Sequence, residues 1–97
     1  MRVISIEKVL PCISDPWKLR VILLMDKKPN LKELADVLDA RYSEKLGVAI
    51  LQIGVKEINL FSTGKVTITQ VEDEKEAEKL VNALLAMAEH KLLYREL

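Results

Sequence analysis

The sequence predicts an α+β fold in which an antiparallel β-sheet of about five strands carries two α-helices on one face. Several segments between residues 2 and 71 alternate apolar and polar side chains, which is the pattern of half-buried strands. Two others, near residues 31–41 and 73–93, repeat apolar residues at helical spacing. The predicted order is β-β-α-β-β-β-α. The 97 residues, 49% of them apolar, are enough for one domain with a core, over residues 1–97.

The residue pattern predicts five strands, and short turns separate the last three of them. Pro11 and Pro16 break the chain after the first strand. We expect Trp17 to pack over the sheet edge or to anchor the N-terminal hairpin, and an interface role is the alternative. In the turn at Ser62–Lys65, Gly64 is available for a positive φ. Three successive strands joined by short turns predict an antiparallel meander. The predicted strands are residues 2–10, 18–25, 48–53, 57–62 and 65–71.

Each of the two predicted helices has a start signal. Asn30 is a good N-cap residue, and Glu33 completes a capping-box-like start for a helix that we expect to reach about Arg41. The second helix begins near Asp73, where the acidic run Glu72–Glu78 lies at its positive dipole end, and we expect it to extend toward the C-terminus. The predicted apolar stripes are Leu31, Leu34, Ala35, Leu38 and Tyr42 in the first helix, and Ala77, Leu80, Val81, Leu84, Leu85 and Ala88 in the second.

The alternation also assigns the strand side chains to two faces of the sheet. Both helices are expected to pack on the apolar face, formed by Ala49, Leu51, Ile53, Ile58, Leu60, Val66 and Ile68. The opposite face mixes aliphatic, aromatic, hydroxyl, amide and cationic groups. This composition is typical neither of a fully solvent-exposed face nor of a face buried in the core. We therefore predict that it binds a partner. This predicted binding face is Leu46, Val48, Ile50, Gln52, Asn59, Phe61, Thr63, Lys65, Thr67 and Thr69.

The segment INLFSTGKVTITQ, followed by EDEKEAEKLVNALL, contains a strand ending in Phe, a Gly-Lys turn, a second strand and a long helix. This order resembles half of a TATA-binding protein, over about residues 18–90. The resemblance implies a saddle whose underside, the helix-free face, lies on the DNA minor groove and inserts apolar wedges. By position it implies wedges at Leu46 and Phe61, a phosphate contact at Lys65 and a groove-edge contact at Thr69, while Gln52 stands where the family has a phosphate-binding arginine.

Departures from this family pattern favour another use of the same face. The family carries two such halves in tandem, whereas this chain has one. Its 15 basic and 15 acidic residues cancel, while free nucleic-acid binders usually carry a basic excess. We therefore expect a homodimer, or a complex with another protein, formed through the helix-free face. Minor-groove DNA binding is the alternative, and an accessory subunit of a larger cytoplasmic enzyme is a third reading.

No catalytic motif occurs in the sequence: there is no P-loop, GxGxxG, nucleophile elbow or HExxH. One cysteine, Cys12, and one histidine, His90, cannot form a tetrahedral zinc site, and the acids do not follow an EF-hand pattern. We predict a non-enzymatic module without metal or cofactor. Uninterrupted apolar runs such as Val21–Met25 are far shorter than the roughly 20 residues of a membrane span, and the N-terminus lacks a signal-peptide pattern. We therefore expect no membrane partner and a cytoplasmic location.

Overall fold

The structure, a computed structural model, describes residues 1–95 and has the predicted α+β fold. A six-stranded antiparallel sheet, in the order β1-β2-β6-β5-β4-β3, carries two helices. The strands are β1 (Val3–Pro11), β2 (Leu19–Met25), β3 (Arg41–Ser43), β4 (Val48–Ile53), β5 (Lys56–Phe61) and β6 (Lys65–Val71), and the helices are α1 (Leu31–Leu38) and α2 (Glu74–Arg95).

Strand β3 corrects the predicted count of about five strands and the predicted end of the first helix. The helix does not reach Arg41, because Asp39 adopts a left-handed conformation with φ 56°. The Ala40 N–H then donates to the Ala35 carbonyl at 2.9 Å, which closes the last turn. Beyond that turn the chain pairs with β4, so Tyr42 is exposed rather than buried in the helical stripe.

Both helices begin where the sequence predicts, and a side chain caps each of them. The Glu33 N–H donates to Asn30 Oδ1 at 3.3 Å, and the Glu76 N–H donates to Asp73 Oδ1 at 2.8 Å. These oxygens satisfy backbone donors that the first turn of a helix leaves unpaired. The Glu76 carboxylate in turn accepts from the Glu72 N–H at 2.8 Å. Two reciprocal hydrogen bonds therefore stabilise the start of α2, as in a capping box.

Helix α2 is described through Arg95. Its predicted continuation to the C-terminus lies outside the described residues. Within residues 1–95, neither helix combines the length and the apolar character that crossing a lipid bilayer requires.

Both helices pack on one face of the sheet and enclose the core, as predicted. Helix α2 lies against β1, β2 and β6, while α1 lies against β4 and β3. The predicted apolar face is buried except at Leu51, which is partly buried, and at Ile53, which is exposed at the end of β4. The largest fully buried side chains of the core are Leu23, Ile58, Leu60 and Ile68 from the sheet and Leu34 and Leu85 from the helices.

Edge strand β1 joins the sheet with two register irregularities, between Val3 and Ser5 and between Ile6 and Lys8. They break the simple alternation that the sequence suggests and turn Val3 and Ile6 toward the core. The strand is anchored at its start, where the Arg2 N–H donates to Asp26 Oδ1 at 3.0 Å. That hydrogen bond favours the ionised carboxylate and is the main reason why the pKa of the Asp26 carboxyl lies below its usual value.

The β5–β6 turn approaches the end of β2 closely at Gly64, which has the predicted positive φ, 95°. The Gly64 carbonyl accepts from the Met25 N–H at 2.8 Å. A Cβ at Gly64 would lie 3.4 Å from the carbonyl oxygen of Lys27. The turn therefore needs glycine for its backbone conformation, whereas an added methyl group would meet Lys27 at an ordinary contact distance.

We expect Gly64→Ala to lower the free energy of unfolding by about 2 kcal/mol, because its φ of 95° lies beyond the left-handed region, roughly 50–70°, that L residues can adopt. Gly54→Ala is the matched control, since Gly54 has φ 60° and no atom within 4 Å of an added Cβ. There we expect a loss of about 1 kcal/mol from backbone strain alone. Urea denaturation measures both losses, and equal losses would contradict the extra strain assigned to the φ of Gly64.

Candidate binding face and cleft

The face of the sheet opposite the helices, which we call the open face, consists of three rows of side chains that run across the strands. The register joins the middle row through directly paired residues in all six strands. This middle row is Lys8, Ile22, Thr67, Asn59, Ile50 and Arg41. The row toward the β5–β6 turn is Ser5, Leu24, Lys65, Phe61, Val48 and Ser43, and the row at the other end is Leu10, Arg20, Thr69, Glu57 and Gln52.

All but two of the predicted face residues lie on the open face. Leu46 and Thr63 are the exceptions, because both lie in turns where strand alternation no longer applies. Leu46 is 75% exposed, and its N–H donates to Ser43 Oγ at 3.3 Å. The Thr63 hydroxyl oxygen accepts from the Lys65 N–H at 3.4 Å. Both residues border the open face rather than form it.

Sequence reasoning missed the part of the open face that β1, β2 and β3 contribute. Ile22 and Leu24 belong to a continuous apolar run, in which alternation does not distinguish one face from the other. The sequence pattern places Arg41 at the end of the first helix rather than in a strand. Glu57 stands opposite Gln52 in the register, and its position could have been found by extending the alternation of β5 by one pair.

A polar pair occupies the centre of the open face. Asn59 Nδ2 donates to Thr67 Oγ1 at 3.0 Å, and Thr67 is only 3% exposed although neither helix packs on this side. Ile22 and Ile50 flank the pair in the middle row. Because these two polar side chains already satisfy each other, covering them costs less than burying an unpaired amide or hydroxyl.

Charge is unevenly distributed around this centre. The three rows contain four bases, Lys8, Arg20, Arg41 and Lys65, and one acid, Glu57. Many of the acids lie elsewhere, in the Glu72–Glu78 run at the start of α2. A chain with no net charge therefore presents a basic surface on one side of its sheet.

A cleft of about 730 Å³ opens at the Arg20 end of the open face, where the segment after β1 lies beside β6. Its walls combine apolar, polar and charged groups. They are formed by Leu10, Pro11, Cys12, Ile13, Ser14, Arg20, Glu57, Asn59, Thr69 and Gln70.

A β-bulge in β6 shapes this cleft. Gln70 has φ 63°, and the pairing with β2 shifts between Leu19 and Val21. The Gln70 N–H donates to Cys12 Sγ at 3.4 Å, and Gln70 Nε2 donates to Ser14 Oγ at 3.1 Å. The bulge thus ties the segment after β1, which lines one side of the cleft, to the sheet.

The residues that the sequence singles out for chemistry lie apart from one another. Cys12 is buried beside the bulge, whereas His90 is on the exposed side of α2 with its ring edge-to-face with Tyr94. In the described part of the chain, no three His, Cys, Asp or Glu side chains are grouped closely enough to hold a metal ion. The prediction that Trp17 packs over the sheet edge or anchors the N-terminal hairpin is wrong, because Trp17 is 90% exposed. The alternative, an interface role, stays a prediction.

Comparison with protein-family models, curated proteins and solved structures found no match to this chain. The α+β fold is therefore assigned from the structure alone. The resemblance to half of a TATA-binding protein stays a prediction.

Proposed function

We propose that this chain is a non-enzymatic binding module that uses its open face to bind a protein, with a second copy of itself as the partner. The observation that carries the proposal is the composition of the middle row. It has a base at each edge strand, isoleucines further in and a satisfied amide–hydroxyl pair at the centre. Protein interfaces have the same arrangement of a dry centre within a polar rim.

The dimensions of the open face suit such an interface. Six strands about 4.8 Å apart and three rows about 6.8 Å apart span roughly 29 by 20 Å. Two such faces packed together would remove on the order of 1,000 Å² from water, which is the size at which specific interfaces begin. A two-fold axis would place the same surface on both subunits and leave the charged side chains at the rim.

Sedimentation velocity over a range of protein concentrations tests the homodimer. We expect a reversible monomer–dimer equilibrium that strengthens when salt rises from about 50 to about 500 mM, because salt screens the repulsion between the two basic rims. A monomer at every concentration and salt would contradict self-association. Dimerisation that weakens steeply with salt would point to an interface dominated by ion pairs rather than by the apolar centre.

The basic excess on the open face favours nucleic acid as a second candidate partner. The pairing of Leu60 with Val66 places Lys65 beside Phe61, so a cation lies next to an apolar side chain, and minor-groove binders use both kinds of group. Fluorescence anisotropy with A·T-rich and random duplexes separates the two candidates. Binding to DNA would fall steeply between low and physiological salt, whereas absence of binding at low salt would eliminate this candidate.

A further inference from the structure

Two opposite charges line the cleft without pairing to each other. Arg20 and Glu57 lie on either side of Thr69, on β2, β5 and β6, so that their backbones are about 10 Å apart. Among residues 1–95, neither side chain forms an ion pair within 4.0 Å. Other charged side chains do form ion pairs: Lys18 pairs with Glu72, and Lys56 pairs with Glu76.

Uncharged groups complete the cleft between and beside these charges. The Asn59 amide donates to Thr67, which leaves its carbonyl oxygen available as an acceptor. Leu10 and the fully exposed Ile13 provide an apolar wall. At about 730 Å³ the cleft lies within the roughly 300–1,000 Å³ range of small-molecule sites.

We propose that this cleft binds a free α-amino acid with an apolar side chain. The Arg20 guanidinium matches the ligand carboxylate, which it can bind through two parallel hydrogen bonds. The Glu57 carboxylate matches the ligand ammonium group, and the wall at Leu10 and Ile13 matches its side chain. A residue inside a peptide lacks both charges, so the pair of complementary groups selects the free amino acid.

The Gln70 bulge prepares the cleft for such a ligand. A left-handed backbone is uncommon for a residue other than glycine, and strained positions of this kind concentrate where a binding surface is shaped. By holding Cys12 and Ser14, Gln70 fixes the segment that carries Ile13 at the mouth of the cleft. The ligand would therefore meet a largely preformed site.

Titration of the unmodified protein, followed by amide chemical shifts in NMR, tests the proposal. We expect L-leucine and L-phenylalanine to shift the Thr69 and Gln70 amides saturably below about 10 mM. Two analogues of leucine should bind at least about tenfold more weakly: 4-methylpentanoate, which lacks the ammonium group, and leucinamide, which lacks the carboxylate. Equal binding of either analogue, or no saturation, would overturn the assignment.

Three variants assign the two charges. Arg20→Gln should weaken leucine and 4-methylpentanoate about tenfold, whereas Glu57→Gln should weaken leucine alone. Lys28→Gln removes an exposed base in the loop before α1, outside both the cleft and the open face, and should leave leucine binding unchanged. An equal loss in Lys28→Gln would show a general charge effect and contradict the site. Repeating the titration on Phe61→Asp keeps the result independent of self-association, since a dimer could cover the cleft.

Discussion

Leu60→Ala should lower the free energy of unfolding by about 3–4 kcal/mol, which is the largest single loss that we expect in this protein. Leu60 is 0% exposed and lies in β5, between β6 and β4, on the face that the helices cover. Removing its isobutyl group takes away buried apolar surface and leaves a cavity that strands paired on both sides cannot collapse to fill. Urea denaturation monitored by circular dichroism measures the loss, provided that the m-value stays constant.

Leu46→Ala is the control for this experiment because it makes the same chemical change at an exposed turn position. We expect a change within about 0.5 kcal/mol there. A loss below about 1 kcal/mol for Leu60→Ala would contradict the central position given to this side chain.

Phe61→Asp should weaken self-association by about 100-fold or more while leaving the monomer folded. Phe61 is only partly buried, on the open face, beside Val48 in the register. An aspartate there would remove the aromatic contact and place a carboxylate between Lys65 and Val48, and a partner that covers the face would have to desolvate it, whereas in the monomer the carboxylate can reach water. Sedimentation equilibrium measures the dimerisation constant, and urea denaturation in the monomer range checks the fold.

Met87→Asp is the matched control, since Met87 is an exposed apolar residue on α2, away from the open face. It should leave the dimerisation constant within about threefold. If Phe61→Asp and Met87→Asp had equal effects, the open face would not be the interface.

Leu60 and Phe61 are consecutive residues with opposite expected roles, and the sequence already distinguished them. Alternation along β5 and β6 placed Leu60 with the core and Phe61 on the other face, and the structure agrees. The same local signals found the helix cap at Asn30 and the positive φ of Gly64. Each of these features depends on residues close together in the chain, so its pattern is visible in the sequence.

Local signals failed where a feature depended on a distant contact or on a single dihedral angle. The first helix was predicted too long because nothing near Asp39 announces its left-handed conformation, which aspartate adopts only occasionally. The irregular pairing of β1 with β2 was not predictable from alternation, since a bulge shifts the pattern without changing residue types. The exposure of Trp17 also had no signal in its neighbours.

By itself the sequence determined the fold class, the meander from β4 to β6, and the face on which most of its strand residues lie, because backbone periodicity is a local property. Only the tertiary structure decided that β2 lies beside β6, which places Ile22 next to Thr67 and Arg20 in the same cleft as Glu57. It also decided that a neutral chain has a basic open face. Burial and hydrogen bonding between segments far apart in the chain determine which strands pair. Alternation along one strand shows which side chains share a face, but it does not show which strand lies beside it.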